Sequence, residues 1–205
     1  MIGIIGAGGL GKEVLCCLGE TIGWDNLSSK VRFLEETDYF HDRKVLGIDV
    51  LQLENEISDM EEVIIALGDT AARVRLSEQI PSHVKIAKVV HPTATLTPHT
   101  SIGKGSIVLG NVLLSCDVHI GEYAVINPGT TISHDAVIGN FFSTSPGVNI
   151  SGHCTIGDRV FMGTNAALRN GIHIGDDVVI GMGSVVVKDI SSPGTYLGNP
   201  AVFIK

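Results

Sequence analysis

The segment Thr131-Ile132-Ser133-His134-Asp135-Ala136 places a carboxylate directly after an imidazole. Imidazole titrates near neutrality, so His134 can take a proton from an attacking nucleophile, and Asp135 can orient the ring and stabilise the imidazolium that forms. Cys116 stands 18 residues before His134 and offers a second reading, a cysteine nucleophile activated by the histidine. Direct transfer to an acceptor needs no such covalent intermediate. Near the start of the chain, Gly6-x-Gly8-x-x-Gly11 follows the apolar run Ile2 to Ile5 and opens a helical stretch. In that context backbone amides and a helix N-terminus cradle phosphate. Glu35 and Glu36 end a later apolar run and can accept hydrogen bonds from a ribose, so this half taken alone reads as an NAD site.

Two different scaffolds must position these groups. Residues 1–88 alternate strand and helix, with strands predicted over 2–5, 31–34 and 63–67 and helices over 11–18 and 71–79. That pattern implies an α/β domain with a small, Rossmann-like parallel sheet. Its 88 residues supply only one mononucleotide half, and no hydride-acceptor domain follows, so a nucleotide sugar fits the loop better than NAD. From Val89 the period changes: seventeen hexads run to Ile190 without an insertion, their second position Val, Leu, Ile or Met in all but one, where Thr144 stands. Gly103, Gly121, Gly139, Gly157 and Gly175 recur every 18 residues, so three hexads make one coil. Both periods predict a three-sided parallel β-solenoid over 89–205 whose second and sixth hexad positions point inward. Crossover chirality alone favours right-handed coiling.

In such a solenoid His134 holds the fourth hexad position, where a strand gives way to its corner and a side chain can project outward. His119 and His173 share the first position 54 residues apart. Three coils, about 14 Å, would separate them, too far to share a metal. His153 lies beside the His134 corner and reads as a surface histidine. Cys16, Cys17, Cys116 and Cys154 show neither zinc-ligand spacing nor a disulfide framework, so no metal is expected.

Composition narrows the function further. A formal charge of −8 provides no basic face for nucleic acid. No stretch approaches the roughly 18 apolar residues of a membrane span, and no basic segment precedes the first apolar run, which points to a cytoplasmic protein.

The unbroken hexads with their Ile-Gly pairs, the closing Leu197-Gly198-Asn199-Pro200-Ala201, the loop Gly6-Ala7-Gly8-Gly9-Leu10-Gly11-Lys12-Glu13 and the stretch Ile65-Ala66-Leu67-Gly68-Asp69 resemble, over essentially the whole chain, the hexapeptide-repeat sugar acetyltransferases of the PglD/NeuD type. The resemblance implies a left-handed parallel β-helix after the α/β domain, acetyl-CoA as co-substrate, and a homotrimer with sites between subunits. It further implies that His134 and Asp135 are the catalytic pair, with Asn127 on the neighbouring strand and the Gly152 amide holding the thioester carbonyl. Coenzyme A would run along the groove between coils past Ser143, Gly152, Gly163, Gly181 and Gly183. A nucleotide sugar would meet Gly8, Gly9, Leu10, Glu35, Glu36, Gly68 and Asp69. Two departures stand out: sugar-4-amine members carry a second histidine where this chain has Ser143, and many relatives carry histidine where Leu10 stands. The function implied is N-acetylation of a nucleotide-linked amino sugar, of UDP-4-amino-4,6-dideoxyhexose type, for bacterial surface glycan. O-acetylation of sialic acid or another sugar, a noncatalytic nucleotide-binding scaffold, and an NAD-dependent reductase are the alternatives.

Overall fold

The aliphatic runs of the first half pair as a parallel sheet in the computed structural model, which describes residues 1–205 as two compact units, Met1–Pro92 and Thr93–Lys205. In the first unit β1 is Ile2–Ile5, β2 Val31–Glu35, β3 Lys44–Val45, β4 Ile48–Gln52, β5 Glu62–Ile65 and β6 Lys85–Ile86. They lie in the order β3-β4-β2-β1-β5-β6. All neighbours are parallel except β3 and β4, which form a hairpin around Leu46-Gly47. β3, β4 and β6 escape a periodicity reading because they are short or follow a turn rather than a helix.

The helix Gly9–Ile22 is longer than the predicted 11–18, since it begins directly at the glycine loop. It buries Val14, Leu15, Cys17 and Leu18, and in the same unit Ile4, Phe33 and Ile64 are fully buried. The helix Thr70–Ser77 starts on Asp69, whose carboxylate accepts from Ala72 N at 2.7 Å and so satisfies one of the free amides of the first turn.

In the second unit each hexad contributes a short strand, of two residues except at Val178–Ile180, and a corner. Strands 18 residues apart pair in parallel, in registers such as Leu113↔Thr131, Thr131↔Asn149 and Asn149↔Ala167. Three parallel sheets result, one of them closed by Gly194–Gly198 and an antiparallel Ala201–Phe203. The predicted inward positions are the buried ones: Ile126, Ile132, Ile150 and Ile156 at the second, Val112, Ala136, Val148 and Val160 at the sixth. Thr144, the one polar second position, is buried too, its hydroxyl 2.9 Å from that of Thr130 and accepting from Asn127 N.

The corners explain the period of six. From Gly105 to Gly183, every sixth residue is left-handed, with φ between +53° and +73°. One left-handed residue per hexad bends the chain about the prism axis, and Gly, Asn and Asp adopt that conformation at least cost. The Ile-Gly pairs have a different cause, because a Cβ on Gly121 would lie 2.7 Å from the Gly139 carbonyl carbon of the next coil. Side-chain oxygens also stitch the coils: Asn140 Oδ1 accepts from Glu122 N at 2.9 Å, Asp158 Oδ1 from Asn140 N at 2.6 Å, and Asp176 Oδ1 from Asp158 N at 2.8 Å. No helix is long and apolar enough to cross a membrane.

Candidate active site

His134 and Asp135 form the corner after the strand Thr131–Ile132. The adjacent coils fix this corner, since Asp135 N donates to Cys116 O at 3.1 Å and His153 N to His134 O at 2.9 Å. Asp135 has φ +58°, a left-handed conformation that carboxylate and amide side chains tolerate better than most, and it turns the carboxylate back to the preceding ring. Asp135 Oδ2 lies 2.6 Å from His134 Nδ1, with the two side chains 48 % and 46 % exposed. The carboxyl of Asp135 is held below the usual carboxylate range, first by this hydrogen bond and then by the charges of the two nearby imidazoles. With Nδ1 occupied by Asp135, the Nε2 of His134 is the nitrogen left for an incoming proton.

Gly152 follows one coil later, and the imidazole occupies the space a side chain there would take. Gly152 N donates to no carbonyl of the neighbouring coils. A half-exposed imidazole thus packs against a buried glycine whose backbone N–H has no carbonyl partner, group types able to take a proton from a nucleophile and to donate to an oxyanion.

The other expected residues of this unit divide. Asn127 is tied to Thr144, donating to its carbonyl through Nδ2 and to its hydroxyl oxygen through the backbone N. Ser143 is buried within its strand. The absence of side chains at Gly163 and Gly181 has a packing cause: a Cβ on Gly163 would lie 2.5 Å from Met182 N, and one on Gly181 would overlap Leu197 Cδ2. Gly183, left-handed at φ +67°, faces open space. Cys116 is exposed, whereas Cys17 and Cys154 are buried and their thiols pushed up by that burial, Cys17 to about 11.

In the first unit a cleft of about 700 Å³ opens beside the glycine loop, within the size range of small-molecule sites. Gly6, Gly8, Glu35, Glu36, Gly68 and Asp69 line it; Gly9 and Leu10 do not. Gly8 ends the loop at the helix N-terminus, and neither Gly8 nor Gly9 has an atom within 4 Å of where a Cβ would stand. The two glutamates do not face the cleft as free carboxylates. Glu35 holds Arg43 through two bonds of 2.8 and 2.9 Å, and Glu36 holds Arg75 through two of 2.6 and 2.8 Å. Arg75 and Tyr39 are lining residues that sequence reasoning missed. Nothing marks Arg75 in the sequence, because an arginine within a helix reads as a solvated one until Glu36 is brought to it.

Comparison with known proteins bears on both units. The family described as PglD N-terminal domain matches residues 1–80, and that described as hexapeptide repeat of succinyl-transferase matches residues 154–188. No curated protein matches the chain. Among solved structures, WeeI from Acinetobacter baumannii AYE superposes with a TM-score of 0.91 at 28 % identity, covering 100 % of this chain and 99 % of its own. PerB from Caulobacter crescentus, crystallised with CoA and GDP-perosamine, gives 0.89 at 27 %, over 100 % and 97 %. The acetyltransferase domain of PglB from Neisseria gonorrhoeae FA1090, in complex with acetyl coenzyme A, gives 0.89 at 28 %, over 99 % and 98 %. The solenoid is accordingly the left-handed β-helix implied by the resemblance, not the right-handed coil that crossover chirality alone favours. That chirality rule describes a strand returning to one twisted sheet. Here each return passes through two further sheets and three left-handed corners.

Proposed function

The chain resembles, over its whole length, the hexapeptide-repeat sugar acetyltransferases of the PglD/NeuD type, and from that premise we propose that it is an acetyl-CoA-dependent N-acetyltransferase whose acceptor is a nucleotide-linked amino sugar. The observation that carries the reading is the 2.6 Å pair of His134 and Asp135 beside the Gly152 amide. The acceptor amine attacks the thioester carbonyl carbon, a C–N bond forms, and His134 Nε2 takes the amine proton. Asp135 holds Nδ1–H and balances the imidazolium charge, while Gly152 N–H donates to the oxyanion. The intermediate collapses with cleavage of the C–S bond, and the departing thiolate takes the proton back from His134.

The cleft of the first unit supports a nucleotide-linked acceptor, with the loop amide of Gly8 for phosphate and Glu35, Glu36, Gly68 and Asp69 around the nucleoside. In this reading coenzyme A passes Ser143, Gly163, Gly181 and Gly183, and Asn127 supports the reacting corner. The protein works as a cytoplasmic homotrimer, where acetyl-CoA is available. Leu113 and Val137, outward-facing at first hexad positions and about half exposed, supply apolar surface for such an assembly.

The test is CoA release from acetyl-CoA by purified protein offered UDP-, GDP- and dTDP-linked amino sugars, with free sialic acid included. The panel spans both the expected UDP-4-amino-4,6-dideoxyhexose and the GDP-linked sugar crystallised with PerB. Release with one nucleotide amino sugar, lost in His134→Ala, is the expected result. Release with sialic acid alone would make the protein an O-acetyltransferase, and silence throughout would favour a noncatalytic scaffold.

A further inference from the structure

The His153 side chain, unlike its backbone amide, has no part in the coil ladder, and none in the acyl-transfer chemistry, yet its position beside the reacting pair is well defined. It lies 18 residues after Asp135, at the same corner of the next coil, and both residues are left-handed, with φ +57° and +58°. Its imidazole meets that of His134 edge-on, with ring centroids 5.0 Å apart and planes at 88°. His153 Nδ1 is 3.7 Å from Asp135 Oδ2, the same oxygen that lies 2.6 Å from His134 Nδ1. One donor atom from each of the three side chains therefore falls within 4.8 Å of the others.

We propose that His134, Asp135 and His153 form a site for a transition-metal ion of the zinc class, and that occupation of this site silences His134 as a base. Two imidazoles and a carboxylate are a donor set that suits zinc and its neighbours. Zinc bonds of about 2.0–2.2 Å place tetrahedral ligands roughly 3.4 Å apart. The His153 to Asp135 separation is already close to that spacing. The His134 to Asp135 separation is shorter because a proton sits between the atoms, and it opens when the metal replaces that proton. Ladder hydrogen bonds hold both corners, so the remaining closure onto the metal falls to rotation of the side chains. The three side chains are 46–60 % exposed, so an ion can enter and retain water at its remaining position.

The chemical consequence follows from the tautomer. A metal on Nδ1 of His134 leaves the ring's proton on Nε2, and that nitrogen can no longer accept one from an amine. No net proton is released from neutral imidazole; the proton moves from Nδ1 to Nε2 as the metal binds. Metal occupancy and turnover are then mutually exclusive. This second half of the proposal rests on the acetyltransferase reading, whereas the site itself does not.

The test titrates metal-stripped protein with zinc chloride by calorimetry and against a chromogenic zinc chelator. Acetyl transfer is followed in parallel by mass of the sugar product, because the thiol of released CoA itself binds zinc. The expected result is one zinc per chain, with loss of turnover reversed by EDTA. His153→Gln should weaken zinc by more than the roughly 10- to 100-fold that loss of an outer-shell partner costs, while turnover without zinc stays within about threefold. Cys116→Ser, which removes the exposed thiol of the preceding coil, should leave zinc binding unchanged. Absence of stoichiometric binding, or equal affinity in His153→Gln, would overturn the site. Binding without loss of turnover would overturn the silencing. Zinc binding that depends on His153, in a protein that acetylates no sugar, would uphold the site and sink the acetyltransferase reading instead.

Discussion

The imidazole of His134 fills the space in which Gly152 lacks a side chain: a Cβ on Gly152 would lie 2.7 Å from His134 Cε1 and 2.8 Å from Nε2. The backbone of Gly152 is not left-handed, so alanine is conformationally allowed there, and the exposed ring is what must move. Gly152→Ala should keep its melting temperature within a few degrees and lose about tenfold or more in kcat, because misplacing a catalytic group by about 1 Å is costly. Steady-state kinetics beside a thermal melt checks this; unchanged kcat would show that the ring's position is not critical.

Asp135→Asn separates charge from shape. Asparagine adopts the left-handed conformation readily, so the corner at φ +58° is preserved while the carboxylate that accepts from Nδ1–H is lost. Turnover should fall by about 10²-fold or more, in the direction of the loss seen when a triad carboxylate becomes an amide. His134→Ala should lose at least about 10²-fold and still bind acetyl-CoA in a calorimetric titration.

The glycine loop separates into packing and ligand positions. A Cβ on Gly11 would lie 2.0 Å from the Gly6 carbonyl oxygen, and Gly6 itself sits at φ +105°, so alanine at either should destabilise the first unit. Gly8→Ala meets nothing within 4 Å and has an ordinary φ of −79°. It should fold normally and raise the KM for the nucleotide sugar alone, with KM for acetyl-CoA unchanged. Equal effects on both KM values would remove the cleft from the acceptor site.

Thr144→Val keeps the shape of the one polar inward second position and deletes its hydroxyl. Asn127 N–H and the Thr130 hydroxyl each lose a partner in a buried setting, which should cost about 1–3 kcal/mol in denaturant unfolding. A neutral substitution would mean that the coil relaxes to satisfy them elsewhere.

Arg159 grips Asp177 of the next coil with bonds of 2.7 and 2.8 Å, which holds the Asp177 carboxyl below its ordinary range. A depressed folded pKa means the contribution is complete above the unfolded carboxylate value of about 3.9 and disappears as pH falls through the lower folded value. The difference in melting temperature between the native protein and Asp177→Asn should therefore be constant above about pH 5 and shrink below pH 4. The pair is half exposed, so the effect is small and weakens with salt.

Much of the second unit is legible in the sequence, for a physical reason. Each hexad must repeat the same strand, inward side chain and left-handed corner, so local periodicity is the tertiary structure. The interval of 18 between His134 and Gly152 already brings them together before any side chain is placed. In the first unit the βαβ pattern shows the order of most elements, while the short β3–β4 hairpin, β6 and the true helix ends depend on packing and the glycine loop.

The sequence by itself determined the solenoid, its period and the His134-Asp135 corner, because these arise from residues adjacent in sequence or related by one coil. Only the tertiary structure decided that Glu36 is held by Arg75, 39 residues away, so that the cleft presents an ion pair instead of a free carboxylate. Likewise the approach of His153 to Asp135 depends on two side-chain torsions at stacked corners. A spacing of 18 places their backbones one strand apart and says nothing about where an imidazole points.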